Sequence, residues 1–436
     1  MRVYFPIIFS MVVLAVLSGL EILLLKKLHP DWWRYRAVRR LSYGLPIAGI
    51  TGLALWALGI AFEADVLVSI GAPLTTAALV LGLALMISLP LSAIFHTIDR
   101  FVAWFARRRS ASNNNDDIPR DGNNLRDDST LRDSNNLRDG GVGEADAQVP
   151  DLKRRKILTT TAAIFPVLAI TAGGTGLISA TRDPRTPVIP LHYPQLPPAL
   201  EGLRILQITD VHVGLIINFD DVERIVELSA TMKPDLVLLT GDFSDDADTY
   251  LDALRLVGSI PSRLGSFASI GNHEYFRGIH AVRRAYDQSP IPLLLDSGTT
   301  VDVGGTPLYV AGADDPRINF GLPARFYEQS IDAALQDMPS QAFSLLLCHR
   351  PDGFNAAARA GVDLTLSGHT HGGQIGFNGR SVLNATLPEK YMWGLYEING
   401  SKLNVSSGAG HWFPYRLGCP TEIPLYVLTS RPTPRS

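Results

Sequence analysis

The chain has 436 residues, 46% of them hydrophobic and only 19% charged, with a formal net charge of -3 and a mean hydropathy of +0.13. That length allows two or three domain-sized units, and the hydropathy is high for a chain dissolved wholly in water. The near-neutral charge excludes a strongly basic nucleic-acid-binding domain. The two cysteines, Cys348 and Cys419, exclude a disulfide-dense scaffold or a Cys-rich zinc finger.

The apolar excess lies before residue 181. Val3 to Leu25, Leu41 to Phe62, Val66 to Ile98 and Ile157 to Ala180 are nearly uninterrupted apolar runs, each close to the roughly 20 residues that cross a bilayer core. Residues 1–105 therefore read as an all-α membrane region with three spans, and residues 157–180 as a fourth span or signal anchor. Lys26, Lys27, Arg34, Arg36, Arg39 and Arg40 against Asp31 alone place the first loop inside by the positive-inside rule. Glu63 and Asp65 then face out, and Arg100, Arg107 to Arg109 and Lys153 to Lys156 return inside. These signs predict a multi-pass integral membrane protein with everything after Ala180 on the outer face. Arg154-Arg155-Lys156 before an apolar stretch reads either as a twin-arginine export signal or as an ordinary cationic flank.

Residues 106–156 are rich in Asn, Asp and Arg, and Asn123-Asn124-Leu125-Arg126-Asp127 recurs as Asn135-Asn136-Leu137-Arg138-Asp139. Too few apolar groups are present to offset chain entropy, which predicts a disordered linker. Residues 181–200 hold Pro184, Pro187, Pro190, Pro194, Pro197 and Pro198 and read as a stiff, extended tether.

Residues 201–430 alternate short apolar runs with amphipathic stretches. Arg204 to Thr209, Asp235 to Thr240, Ser266 to Ile270, Leu308 to Ala311, Phe343 to Leu347 and Leu364 to Ser367 read as strands, and Asp221 to Thr231 and Thr249 to Val257 as helices. The order predicts an α/β layered domain. Polar clusters follow the strands directly: Asp210-Val211-His212, Gly241-Asp242-Phe243-Ser244-Asp245, Gly271-Asn272-His273-Glu274, Cys348-His349-Arg350 and Gly368-His369-Thr370-His371. In open α/β sheets ligands gather beyond the carboxyl ends of strands, so the five clusters are expected to converge. Residues i and i+2 of an extended segment point the same way, so Asp210 with His212, and His369 with His371, are each expected to aim two ligands at one place. The glycines preceding Asp242, Asn272 and His369 are expected to let the backbone turn there. Carboxylates, an amide and imidazoles form a mixed O/N donor set that suits Mn, Fe or Zn.

With these blocks in view, the sequence resembles the calcineurin-like metallophosphoesterase family, in particular its membrane-anchored bacterial branch, over the region from about Gly202 to the C-terminus. The resemblance implies a two-sheet β-sandwich flanked by helices and two divalent metal ions. One ion would be held by Asp210, His212 and His371, the other by Asn272, His349 and His369, with Asp242 bridging. It implies hydrolysis of phosphate esters by attack of a metal-activated hydroxide. His273 is the candidate for leaving-group protonation or phosphate contact, with a structural histidine as the alternative, and Asp245 is expected to orient a neighbouring ligand. Arg416 is a candidate substrate-phosphate contact or a surface ion pair, and His411 a weaker candidate contact. Cys348 reads as packing, and a Cys348–Cys419 disulfide is open on an outer face.

Leu387, Tyr391, Met392, Trp393, Trp412 and Phe413 are expected either to form an apolar rim dipping into lipid headgroups or to pack in the core. The tether and the rim point to a phosphodiester or pyrophosphate of a lipid or envelope-related substrate. The alternatives are a phosphomonoesterase acting on soluble nucleotides or phosphoproteins, and a non-enzymatic metal-bound membrane sensor. No nucleic-acid binding is expected.

Overall fold

The computed structural model describes residues 4–62, 64–113, 164–214, 216–246, 248–317, 324–384, 391–411 and 413–432. By their contacts the residues form two compact units, Met1–Ile50 with Ala78–Gly173 and Thr51–Ala77 with Gly174–Ser436. The described residues before 181 are mainly helical: α1 (Tyr4–Leu28), the single turn α2 (Pro30–Trp33), α3 (Arg36–Ala61), α4 (Asp65–Asn113) and α5 (Ile164–Ala180). Among the described residues, two stretches are long and apolar enough to cross a membrane, Arg36–Gly59 and Val66–Ile94. Helix α4 continues through Arg107 to Arg109 to Asn113, eight residues past the expected start of the linker at 106. Arginine and alanine favour helix. The Asn-rich repeats, Arg154-Arg155 and the first part of the fourth apolar run lie outside the described residues.

The C-terminal domain has two main sheets. The first runs in the order β1 (Val188–His192), β13 (Leu425–Thr429), β2 (Arg204–Ile208), β3 (Leu236–Thr240), β4 (Ser266–Ser269). The second runs β11 (Gly394–Ile398), β12 (Ser401–Val405), β8 (Leu364–Ser367), β7 (Phe343–Leu347), β6 (Thr306–Gly312), β5 (Ser297–Val303). Strand alternation decides which layer each side chain joins. Ile205, Leu236, Leu238, Leu308, Val310, Leu345, Leu347, Leu364 and Leu366 meet between the sheets in one buried cluster. The intervening Leu206, Val237 and Leu239 turn outward onto helices α6 (Phe219–Thr231), α7 (Tyr250–Val257) and α9 (Ile279–Asp287). Tyr309, Ala311 and Leu346 face α10 (Ala324–Ala334) and α11 (Phe354–Arg359) on the opposite side. Both faces of each sheet are thus covered, which is why the central strands read as continuous apolar runs. The result is a sandwich of two sheets between helical layers.

One expectation is corrected here. The proline-rich segment 181–200 is part of the folded domain rather than a tether ahead of it. Val188–His192 pairs in parallel with β13 at the sheet edge, and Leu191 and Leu200 are fully buried in the inter-sheet core. Proline fixes an extended φ and lacks an N–H, so it is tolerated on an edge strand, where Pro190 sits opposite Val427.

Candidate metal centre

The side chains that close the site come from the loops after β2, β3, β4, β7 and β8, at the carboxyl ends of strands from both sheets. Three overlapping groups form: Asp210 with His212 and His371, His212 with Asp242 and His273, and Asp242 with His349 and His369. His212 Nε2 lies 3.2 Å from His371 Nε2, and His371 Nε2 lies 3.5 Å from Asp210 Oδ1. Asp242 Oδ2 is 3.9 Å from His212 Nε2 and 3.1 Å from His349 Nε2, so one carboxylate oxygen faces both halves of the site.

The route to this convergence differs from the alternation argument. Asp210, His212, Asp242, His369 and His371 all have positive φ, between 48° and 68°. Non-glycine residues seldom adopt that conformation, and it concentrates where function constrains the backbone. The segments are coiled, not extended, and His369 and His371 go to different groups. The preceding glycines matter mainly for space. A Cβ on Gly368 would sit 1.9 Å from Asp210 Oδ2, and one on Gly271 would sit 2.3 Å from Asp242 Oδ1. Of the three, only Gly241 has positive φ.

The donor set fits a cation. His349 Nδ1 donates to Thr240 O at 2.9 Å, which leaves its Nε2 as a lone pair facing Asp242 Oδ2. Neither that Nε2 nor the buried Asn272 Oδ1 has a hydrogen-bond partner. Two electron-rich atoms 3.1 Å apart need positive charge between them. Without metal that charge is a proton: burial pulls the His349 pKa down, but the Asp242 carboxylate more than offsets it and pushes the group up to about 10. Burial, then His349 and Arg350, hold His369 well below the usual range; burial, then Arg416, does the same for His371. Both rings are therefore neutral. Asp242 is driven toward protonation by burial, but His349 and His273 outweigh this and keep it ionised, well below the usual carboxylate value.

Around these groups lies a supporting layer. Asp245 Oδ1 contacts His273 Nδ1 at 2.5 Å, and its Oδ2 lies 3.4 Å from His212 Nδ1. Asp245 thus orients the His273 ring, and its second oxygen lies within ion-pair distance of His212. Burial pulls the His273 pKa down, but Asp242 and Asp245 raise it to about 9, so its ring, whose side chain is 19% exposed, is a cation at neutral pH. Glu274 is fully buried and accepts from Asp242 N at 3.0 Å, Phe243 N at 2.8 Å, Gly271 N at 2.7 Å and Tyr250 Oη at 2.9 Å. It ties the loops carrying Asp242 and Asn272 together. The sequence reading gave Glu274 no role, although it directly follows His273. Arg350 was likewise overlooked. It pairs with buried Asp315 at 2.7 Å and donates through Nη1 to His369 Nε2 at 3.2 Å.

Several sequence expectations are corrected. Arg416 is not a surface ion pair: it is 0% exposed. Its Nη1 donates to His371 O and Ser407 O, and its Nη2 to Gly410 O and His371 Nδ1. It pins the 407–410 loop to the His371 turn. His411 is also buried, at 4% exposure; burial, then Arg416, lowers it to about 3. Of the residues expected either at an apolar rim or in the core, Tyr391 and Met392 take the core alternative, at 5% and 2% exposure. Tyr391 packs with Phe354 in the core, and Trp393 donates to Glu422 at 3.0 Å. Leu387 and Trp412 lie outside the described residues. Cys348 and Cys419 are both buried and free. Cys348 Sγ lies against Arg350 O at 3.2 Å.

Comparison with known proteins gives a consistent result. The sequence profile described as Calcineurin-like phosphoesterase matches residues 203–373. A metallophosphoesterase of Aquifex aeolicus is 30% identical over 240 residues, covering 54% of this chain and 88% of that protein. One from Helicobacter pylori is 32% identical over 253 residues, covering 57% of this chain and 65% of that protein. A Bos taurus transmembrane protein with metallophosphoesterase domain is 27% identical over 305 residues, covering 66% of this chain and 67% of that protein.

Proposed function

This chain belongs to the calcineurin-like phosphoesterase family, and we propose that it is a membrane-anchored, metal-dependent hydrolase of phosphate esters, acting on phosphodiester or pyrophosphate bonds of lipid or envelope-related substrates. The observation that carries the reading is the face-to-face arrangement of Asp242 Oδ2 and His349 Nε2 at 3.1 Å, with the buried Asn272 Oδ1 also lacking a hydrogen-bond partner among the described residues. Asp210, His212 and His371 would hold one divalent ion, Asn272, His349 and His369 a second, and Asp242 would serve both; the O/N set suits Mn, Fe or Zn. When bound, such ions polarise phosphoryl oxygens and lower the pKa of water toward neutrality.

The residues of the chain do the rest. Glu274 fixes the backbone of Asp242 through its N–H. Asp245 orients the His273 ring and lies within ion-pair distance of His212. His273, charged at neutral pH and 3.9 Å from Asp242 Oδ2 through its Nε2, is placed to give its proton to a leaving oxygen. The Arg350 Nη1 beside His369 adds positive charge where phosphoryl charge would accumulate.

Two helices of membrane-spanning length and composition support anchoring in a bacterial membrane. The cationic flanks support several passes with the catalytic domain outside. Protease accessibility in intact cells tests that orientation. The activity is tested on the purified full-length chain, with metal content measured beside turnover of bis- and mono-p-nitrophenyl phosphate. The expected result is metal-dependent cleavage favouring the diester. Preference for the monoester moves the reading to a phosphomonoesterase. A metal-loaded protein that cleaves neither refutes it.

A further inference from the structure

A shallow groove of about 430 Å³ runs along the N-terminal end of α3, lined by Arg36, Arg39, Arg40, Tyr43, Gly44 and Ile47. Steps of three and four residues put these positions on one side of the helix. That side is exposed, whereas Ser42 and Gly49 on the other side are buried, with Leu14 and Ala78 packed against Gly49. The groove therefore lies on an outer face of the helix, and no side chain at Gly44 fills it: a Cβ there would meet nothing within 4 Å.

Its charge is unbalanced. The stretch from Lys26 to Arg40 holds a single acid, Asp31, and Arg34 pairs with it at 3.7 Å. Among the described residues, Arg36, Arg39 and Arg40 have no ion-pair partner. Three guanidinium groups on little more than one helical turn repel one another, and an anion seated among them relieves that repulsion. Their planar forks match the oxygens of a phosphate. The positive end of the α3 dipole adds to the same field.

The groove changes character along its length. Below the arginines come Tyr43 and then Ile47, which is 63% exposed, as a lipid-facing side chain would be. Tyr43 meets the Trp33 ring edge-on at 5.9 Å, and the Lys26 ammonium lies 5.1 Å over that Trp33 ring; Trp and Tyr of this kind concentrate at the membrane–water interface. The apolar stretch Arg36–Gly59 has 24 residues. At 1.5 Å each it is about 36 Å long, about 6 Å more than a bilayer's hydrocarbon core. That excess is one helical turn, the length from Arg36 to Arg40, so this turn stands at headgroup level while Ile47 lies among acyl chains.

Resting on the membrane anchoring proposed above, and independent of the hydrolase reading, we infer that this groove binds an anionic glycerophospholipid. Its phosphate sits among Arg36, Arg39 and Arg40, and one acyl chain runs along Tyr43, Gly44 and Ile47.

Native mass spectrometry of the full-length chain in detergent, titrated with dioleoyl-phosphatidylglycerol or dioleoyl-phosphatidylcholine, tests this. The first phosphatidylglycerol should bind about tenfold or more tightly than phosphatidylcholine, since each arginine near a membrane surface favours the anionic lipid about fivefold. Arg36→Gln, Arg39→Gln and Arg40→Gln together should erase the preference. Arg107→Gln, Arg108→Gln and Arg109→Gln remove the same charge from the end of α4 and should leave it intact; an equal loss there reveals a diffuse attraction and overturns the site. Gly44→Leu keeps every charge, favours helix and fills the groove. It should weaken phosphatidylglycerol binding about tenfold by displacing roughly two methylenes of the acyl chain, and it decides the matter should the triple arginine variant fail to fold. Displacement of the lipid by glycerol 3-phosphate marks a site for free phosphate and overturns the lipid assignment. A chain that alkaline carbonate strips from membranes refutes the anchoring and this inference with it. Equal binding of both lipids to a chain that resists extraction refutes the lipid site alone.

Discussion

Replacing Glu274 with Gln isolates the carboxylate that holds the two central loops together. The two oxygens of Glu274 accept four hydrogen bonds, two each: Oε2 from Asp242 N and Gly271 N, Oε1 from Phe243 N and Tyr250 Oη. Glutamine keeps one acceptor oxygen and puts an NH2 where the other stood. Two buried donors then face a donor. Each buried donor left unsatisfied costs about 1–3 kcal/mol, so the substitution should destabilise the domain by roughly 3 kcal/mol, allowing for relaxation. For a domain of this size 1 kcal/mol moves Tm by about 2–4 °C, so the melting temperature should fall by about 6–12 °C. Differential scanning fluorimetry of the detergent-solubilised full-length protein, metal-free and metal-loaded, reads this directly. Tyr250→Phe removes one of the four donors and leaves none opposed, so it should cost about 1 kcal/mol. A Glu274→Gln protein melting within 2 °C of the wild type would refute the assignment of Glu274 as the clasp between the Asp242 and Asn272 loops.

Asp242→Asn should reduce turnover about a thousand-fold or more while circular dichroism shows the fold retained; wild-type rates in this variant would end the shared-carboxylate reading. Metal affinity should rise with pH, because the proton held between His349 and Asp242 in the metal-free protein, with His349 at about 10, must leave before an ion binds. Each proton displaced makes binding about tenfold tighter per pH unit below that value. Titration calorimetry of Mn2+ between pH 6 and 8 checks this, and a flat dissociation constant contradicts it. Gly368→Ala should abolish metal binding while leaving the sandwich folded, since its Cβ would fall 1.9 Å from Asp210 Oδ2. Normal metal stoichiometry by elemental analysis would show that the turn yields without cost. The His273 ring should titrate near 9 in the metal-free protein. Its titration should move lower on loading, as bound cations neutralise the Asp242 field that raises it. A histidine NMR titration unchanged by metal would remove His273 from the site.

Much of this protein was legible in one dimension. Continuous apolar runs such as Leu236–Thr240 and Phe343–Leu347 announce strands covered on both faces, because burial on two sides demands apolar residues at every position. The polar blocks that interrupt the chain at strand ends hold the Asp and His residues that cluster in the structure. Side-chain chemistry is local information, and spacing preserves it.

The tertiary structure decided which of those residues share a partner, and why. His369 and His371 part company because left-handed backbone at both replaces the two-residue alternation of an extended strand. Arg416 turns inward because the 407–410 loop and the His371 turn present it with buried carbonyls. The prolines of 181–200 end in a sheet because β13, more than 220 residues later, offers an edge. Glu274 becomes central only where two loops and helix α7 bring four donors to it. Each of these outcomes depends on groups distant in sequence meeting in space. Their hydrogen-bond and burial energies are set by neighbours that no local pattern contains.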